Sequence, residues 1–239
     1  MTQTIDKSDD RVRKMFGEIA PNYDRLNHLL SMNVDHYWRR AVVRRLAPKP
    51  GDPILDVCTG TGDLALAFYR NTKGQCPIVG TDFCPQMLEI ARTKQTNSNI
   101  SAEQLNFVEA DSQALPFPDN SFQFVTVAFG LRNIADPQRG LREMVRVCRP
   151  GGSVAVLEFS IPRRQPIKAA FGLYFKHVLP VIGRMVNRNK TSAYNYLPES
   201  VGQFPAYEQL ADWMREAGLS KVDFRPLTFG IATMYVGVK

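Results

Sequence analysis

Apolar positions along this 239-residue chain change period several times, and each change marks an element. Val12, Phe16 and Ile19 recur at i, i+4 and i+7, which predicts a helix over Arg11–Ala20 that Pro21-Asn22 breaks. The next stretch, Tyr23–Arg40, is denser in polar and aromatic residues than a plain core helix. Trp38, Val42, Val43 and Leu46 then share one helical face, with Arg39, Arg40, Arg44 and Arg45 off it. Pro48, Pro50 and Gly51 predict a hinge. From Pro53 onward short apolar runs alternate with helical periods, the pattern of a parallel sheet covered by helices. Strands are expected over Pro53–Val57, Pro77–Asp82, Leu105–Glu109, Phe122–Phe129 and Ser153–Phe159, and helices over Asp63–Arg70, Pro85–Lys94 and Pro137–Val147. Asp136 and Pro137 make an N-cap and first helical position, and Pro150-Gly151-Gly152 stops that helix. Arg163–Tyr196 leaves the alternation; basic, aromatic and helical in character, it reads as an insertion over the active-site end of the sheet. Pro205–Ala217 is a further helix, stopped by Gly218, and Val222–Pro226 and Ile231–Val238 form a closing strand pair.

This pattern divides the chain into an N-terminal helical cap (1–50), a core (51–162), a helical cap insertion (163–203), and a C-terminal helix with two strands completing the core sheet (204–239). Hydrophobic content of 44% and charged content of 22% are those of an ordinary globular protein. No apolar leader opens the chain and no uncharged run is long enough to span a bilayer, so a cytoplasmic location is expected. Cys58, Cys76, Cys84 and Cys148 show no C-x-x-C spacing, and His28, His36 and His177 are scattered; neither set predicts a metal site. The net charge of +7 raises nucleic acid and membrane surfaces as partners, and where the charge sits decides between them.

Chemistry concentrates in GDPILDVCTGTGDLALA, Gly51–Ala67. A buried strand, a glycine turn at Gly60-Thr61-Gly62 and a helix N-terminus form a ready site for a nucleotide-like ligand. Gly60, Gly62 and Ala65 also fit the dinucleotide spacing, which leaves NAD and S-adenosylmethionine both open. Asp56, just before the turn, would repel a pyrophosphate but suits the ammonium of a methionine tail. Asp82 ends the second strand, where a carboxylate can accept both ribose hydroxyls. Asp111 and Ser112, after the third strand, are placed to meet an adenine amino group. AFGLRN, Ala128–Asn133, lacks the Asn/Asp-Pro-Pro-aromatic run that methylates amide-like base nitrogens, which argues against nucleic acid as substrate. Its Arg132 is expected as a single cation at the mouth of the site.

These residues also carry a resemblance. Tyr23-Asp24, Asn27, Ser31 and Trp38 resemble the first signature of the quinone-biosynthesis C-methyltransferases, the family that makes menaquinone and ubiquinone. RVCRPGGSVAVLEFS, Arg146–Ser160, resembles the second, and FGLRN, ALPFPDNSF, HVLP and YLPESV match as well, so the likeness covers nearly the whole chain. It implies a Rossmann-like class I S-adenosylmethionine-dependent methyltransferase fold, a seven-stranded mostly parallel sheet with one antiparallel strand. It implies S-adenosyl-L-methionine as methyl donor, held at Thr61, Asp82, Asp111 and Ser112, and a polyprenylated quinol as acceptor. Asp35 and Ala128 stand where the ubiquinone branch has His and Ser, and Cys58-Thr59 where it has small residues; these departures resemble the menaquinone-only branch.

The expected reaction is therefore methylation of a ring carbon of demethylmenaquinol, the last step of menaquinone biosynthesis. A polyprenyl benzoquinol, a phytyl-naphthoquinol and RNA are the alternative acceptors. Arg132 is expected to stabilise the phenolate, and Tyr23, Asn27 and Tyr194 to orient the quinol or relay its proton. Arg39–Leu46 and Arg163–Lys190 are expected to dock the protein reversibly on the inner membrane face, and a homodimer is possible.

Overall fold

The computed structural model describes residues 9–174, 177 and 192–239. The chain begins with α1 (Asp9–Ile19), a 3-10 turn at Ala20–Asn22, α2 (Tyr23–Leu30) and α3 (Val34–Leu46). Met32 and Asn33 take positive φ between the last two, which turns the Tyr23–Arg40 stretch into two helices. The sheet then builds through β1 (Ile54–Val57), α4 (Asp63–Thr72), β2 (Ile78–Asp82), α5 (Pro85–Asn97), β3 (Leu105–Glu109), β4 (Phe122–Ala128), α6 (Pro137–Val147) and β5 (Cys148–Phe159). Among the described residues of the inserted stretch, α7 (Ile167–Leu173) and α8 (Ser192–Gln203) follow. The chain closes with α9 (Glu208–Glu216), β6 (Ser220–Leu227) and β7 (Ala232–Val238).

The seven strands run in the order β3-β2-β1-β4-β5-β7-β6. β1 to β5 pair in parallel, and β7 pairs antiparallel with both β5 and β6, the one antiparallel strand that the resemblance implies. Strand order turns back at β1, with β2 and β3 added on one side and β4 and β5 on the other, so the carboxyl ends of β1 and β4 open a crevice at this switch point. Both faces are covered, which is why β1 is buried at every position. Ile54, Ile78, Leu105 and Leu157 face the side packed by α3, α4 and α5; Leu55, Val57, Val125 and Val156 face α6 and α9.

Two segments differ from expectation. β5 starts at Cys148, not Ser153, because Cys148 already pairs with Phe122 and Pro150-Gly151-Gly152 is absorbed as a bulge in the ladder. Arg39 does not lie on an exposed basic face; it is buried, and Val42, Val43 and Leu46 are spent on the core. Arg39–Leu46 therefore offers a membrane only Arg40, Arg44 and Arg45, with no apolar residue to insert. Within the insertion, Lys176, Arg184, Arg188, Lys190 and the side chain of Tyr194 lie outside the described residues.

Candidate functional site

The glycine turn after β1 is shaped by backbone conformations that ordinary residues avoid. Gly60 and Gly62 sit at φ 57° and 80°, and a side chain on Gly62 would collide with the Phe107 ring 2.8 Å away. Cys58 also takes positive φ, 51°, and its Cβ lies 2.4 Å from where a side chain on Gly130 would begin. The turn after β1 and the loop after β4 thus approach closely only because position 130 is glycine.

Two cavities open along these loops. The first, of about 610 Å³, is lined by polar and apolar surface in nearly equal parts, the more polar of the two, and lies over the ends of β1, β2, β3 and β4. Asp82 forms part of its wall, with one carboxylate oxygen accepting from the Gly60 amide at 2.8 Å and the other from the Cys84 amide at 2.9 Å. Burial raises this carboxyl to about 6 against those hydrogen bonds. Asp111 and Ser112 line the same cavity. Asp111 turns one oxygen to the Gln113 amide, and Ser112 is buried with its hydroxyl 3.2 Å from the Cys58 thiol.

The second cavity, of about 360 Å³, is mostly apolar and lies beneath α1, α2, α3, α7 and α8. Phe16, Leu26, Trp38, Phe159, Phe171 and Leu197 are among its walls. Asp56 reaches this cavity and not the polar one. Its carboxylate accepts from the Thr59 hydroxyl at 2.6 Å and the Thr126 hydroxyl at 2.8 Å, and burial raises it to about 6. Tyr23 and Asn27 line the cavity from α2; burial pushes the Tyr23 phenol up, partly offset by its hydrogen bond with Asn27. Phe16, Tyr23, Cys58, Gly60, Ala128 and Phe129 belong to both cavities and mark where the two meet.

Arg132 is not the free cation at the mouth that its sequence position predicts. It is buried, with NH1 2.7 Å from Glu158 Oε1 and 2.5 Å from the Phe129 carbonyl, and its guanidinium lies 5.3 Å from the centre of the Phe159 ring. The reason is Glu158, an acid 1% exposed inside an otherwise apolar strand, which needs a partner of opposite charge. That signal was present in VLEFS and is the one by which the pair could have been found. Arg132 Nε, though buried, has no hydrogen-bond partner, while the residue lines the apolar cavity. An orphaned buried donor of this kind marks a place for a ligand oxygen.

Thr61 faces the apolar cavity, with its hydroxyl donating to Asp24 at 2.5 Å and accepting from Lys94 at 3.0 Å. His28 lies 2.8 Å from Asp35 and stacks on His36 at 4.5 Å between ring centres. Asp35 is committed to the Arg39 guanidinium and the Ser31 hydroxyl, which hold its carboxyl down to about 2 against burial. A cation at this cluster would compete with a guanidinium already in place.

Residues 4–239 match the model of the ubiE/COQ5 methyltransferase family. The chain is 49% identical over 236 residues to the demethylmenaquinone methyltransferase of Deinococcus radiodurans, covering 98% of this chain and 95% of that protein. It is 44% identical over 235 residues to the ubiquinone/menaquinone biosynthesis C-methyltransferase UbiE of Geobacter sulfurreducens, covering 98% and 91%. A SAM-dependent methyltransferase from Aquifex aeolicus has the same fold, with TM-score 0.63, 16% identity and coverage of 90% of this chain and 96% of that one.

Proposed function

The chain belongs to the ubiE/COQ5 methyltransferase family, and from that premise we propose that it methylates a ring carbon of demethylmenaquinol, using S-adenosyl-L-methionine, to complete menaquinone. The observation that carries this reading is the contact between a polar and an apolar cavity through walls they share.

The residues of the polar cavity fit the cofactor. Asp82 ends β2 with a carboxylate for the ribose hydroxyls, and Asp111 and Ser112 stand where the adenine would lie. Gly60 keeps the turn open to a ligand, Gly62 lets it pack on Phe107, Thr61 and Asp56 stand on the side of the methionine tail, and Ala128 forms part of the shared wall. When bound there, the cofactor supplies an electrophilic methyl group on a positively charged sulfur.

The chain's own task is to make the acceptor carbon nucleophilic and aim it. A quinol hydroxyl, like a phenol, has a pKa near 10 and is mostly neutral at pH 7. Negative charge on its oxygen passes to the neighbouring ring carbon, which forms the new bond, and that carbon's proton leaves to restore the aromatic ring. The Nε–H of Arg132, buried and without a partner, is the donor we assign to the developing oxyanion, while Glu158 holds the guanidinium in position. Tyr23 and Asn27 orient the quinol from α2. Apolar walls exclude water, and alignment by such walls supplies roughly 7–11 kcal/mol of a barrier of this type.

The prenyl tail of the acceptor stays in lipid, so the enzyme docks on a bilayer. No helix of the described residues is long and apolar enough to cross a membrane. Leu29, Met32 and Leu173 are exposed on α2, the following turn and α7, whose neighbouring residues line the apolar cavity. Exposed Arg25 and Lys168 add positive charge beside them. This patch, in place of Arg39–Leu46, is the docking face.

The test is incubation with labelled S-adenosyl-L-methionine and a short-chain demethylmenaquinol under reducing conditions. Label in the ring methyl of menaquinol is expected. Cofactor binding without transfer to the naphthoquinol would overturn the assignment, and faster transfer to a benzoquinol would move it to the ubiquinone pathway.

A further inference from the structure

Lys94 lines neither cavity, yet it ties together two segments that do, α2 and the glycine turn with the start of α4. It projects from the last turn of α5, a helix anchored in the core by Met87, Leu88 and Ala91. Its ammonium lies 2.6 Å from Asp24 Oδ2, 2.7 Å from Asp63 Oδ1 and 3.0 Å from Thr61 Oγ1. Thr61 closes the ring by donating to the other Asp24 oxygen at 2.5 Å. Asp24 belongs to α2, whereas Thr61 and Asp63 belong to the glycine turn and the start of α4.

We propose that Lys94 is a positioning residue that clamps α2, and with it Tyr23 and Asn27, against the glycine turn at the cofactor site. This rests on the assignment of the polar cavity to the cofactor and the apolar one to the quinol. The charge count explains why a cation is needed. Asp24, Asp63 and Asp35 lie along one seam between the helical cap and the start of α4. Arg39 bridges Asp35 and Asp63, at 3.3 Å from the latter, and His28 faces Asp35, but among the described contacts only Lys94 neutralises Asp24. Without it, Asp24 and Asp63 repel each other across the seam, and α2 moves away from the turn. Lys94 and Arg39 together hold the Asp63 carboxyl below its ordinary range against the effect of burial. The Lys94, Asp24 and Asp63 side chains are each about a quarter exposed or less, which limits screening by solvent.

The experiment compares Lys94→Met, Lys94→Arg, Asp24→Asn and the Lys94→Met/Asp24→Asn double variant. Three quantities are read: kinetics on the short-chain quinol, affinity for S-adenosylhomocysteine by calorimetry, and hydrogen exchange of the α2 amides. Lys94→Met is expected to lower kcat/KM for the quinol about tenfold, the scale of one charged hydrogen bond, with a smaller change in cofactor affinity. Exchange in residues 23–30 is expected to speed up by a similar factor. Lys94→Arg restores most of both, and Asp24→Asn in the Lys94→Met background restores part, because it removes the repulsion. Unchanged exchange in α2, equal losses on cofactor and quinol, or strictly additive effects in the double variant would each overturn the proposal. A wild-type protein that methylates no quinol would overturn the functional reading, while hydrogen exchange still decides on the clamp.

Discussion

The polar and apolar cavities differ in how their walls are made. Asp82 stands at the end of β2, and Asp111, Ser112 and the glycine turn on short loops after strands, with Asp82 held by the backbone amides of Gly60 and Cys84. The sheet sets their places, and the neighbouring chain supplies their partners. The apolar cavity instead draws on α1, α2, α3, α7, α8 and the Phe159 end of β5, segments far apart in sequence. Its polar members are held by side-chain contacts: Arg132 with Glu158, Arg39 with Asp35, Asp63 and Thr61 with Lys94. A site held by backbone tolerates side-chain changes nearby. A site held by buried ion pairs fails when either partner goes.

The largest effect should therefore come from breaking a pair on the apolar side. Arg132→Ala leaves the buried Glu158 charge uncompensated and is expected to cost about 3–5 kcal/mol in thermal or denaturant unfolding. The Arg132→Met/Glu158→Gln double variant regains most of that stability, yet turnover stays low while cofactor affinity is nearly normal. Equal losses of binding and turnover in the double variant would show that the pair serves packing alone.

Next is Asp82→Ala, which removes a carboxylate that would meet two ribose hydroxyls. At about 1.5–3 kcal/mol for each charged hydrogen bond, cofactor affinity falls by two orders of magnitude or more, with circular dichroism unchanged. An unaltered calorimetric dissociation constant would mean that the polar cavity is not the cofactor site.

Titration sharpens the contrast further. Asp82 and Asp56 are raised from 3.8 to about 6, so between these values the folded chain holds protons that the unfolded chain has lost. Their contribution to stability is full below pH 3.8 and disappears as pH rises through 6. Cofactor affinity runs the opposite way and weakens below about pH 6 as Asp82 protonates, a dependence that Asp82→Asn removes. Asp35, lowered to about 2, stabilises the fold above pH 3.8 and loses that effect as pH falls towards 2. Calorimetry between pH 5 and 8, set beside melting curves from pH 2 to 7, checks both signs.

The smallest effect on the fold belongs to the exposed patch. Met32→Ser with Leu173→Ser should change stability by no more than about 0.5 kcal/mol each. Co-sedimentation with anionic vesicles should nonetheless weaken. Vesicle binding indifferent to both substitutions would place the docking face elsewhere.

Whereas the antiparallel strand follows only from the resemblance to the family, the strands and their order of appearance are readable from period and punctuation, since each depends on residues adjacent in the chain. So are the glycine turn and Asp82, because a strand end, a turn and a helix start form one local unit. The fate of Arg132 is not. Its position in FGLRN reads as an exposed loop cation, and only the pairing of β4 with β5 brings Glu158 within 2.7 Å of it. Its place on a helical wheel puts Arg39 in solvent, but α3 packs so that its guanidinium meets Asp35 and Asp63. Nor does any spacing relate Lys94 to Asp24, which meet because α2 and α5 both pack beside the glycine turn. Local sequence determines which backbone conformations and which buried runs are possible, since these follow from sterics and apolar burial over a few residues. Which charges end up facing one another depends on how whole helices seat on the sheet, and the apolar cavity is the product of that seating.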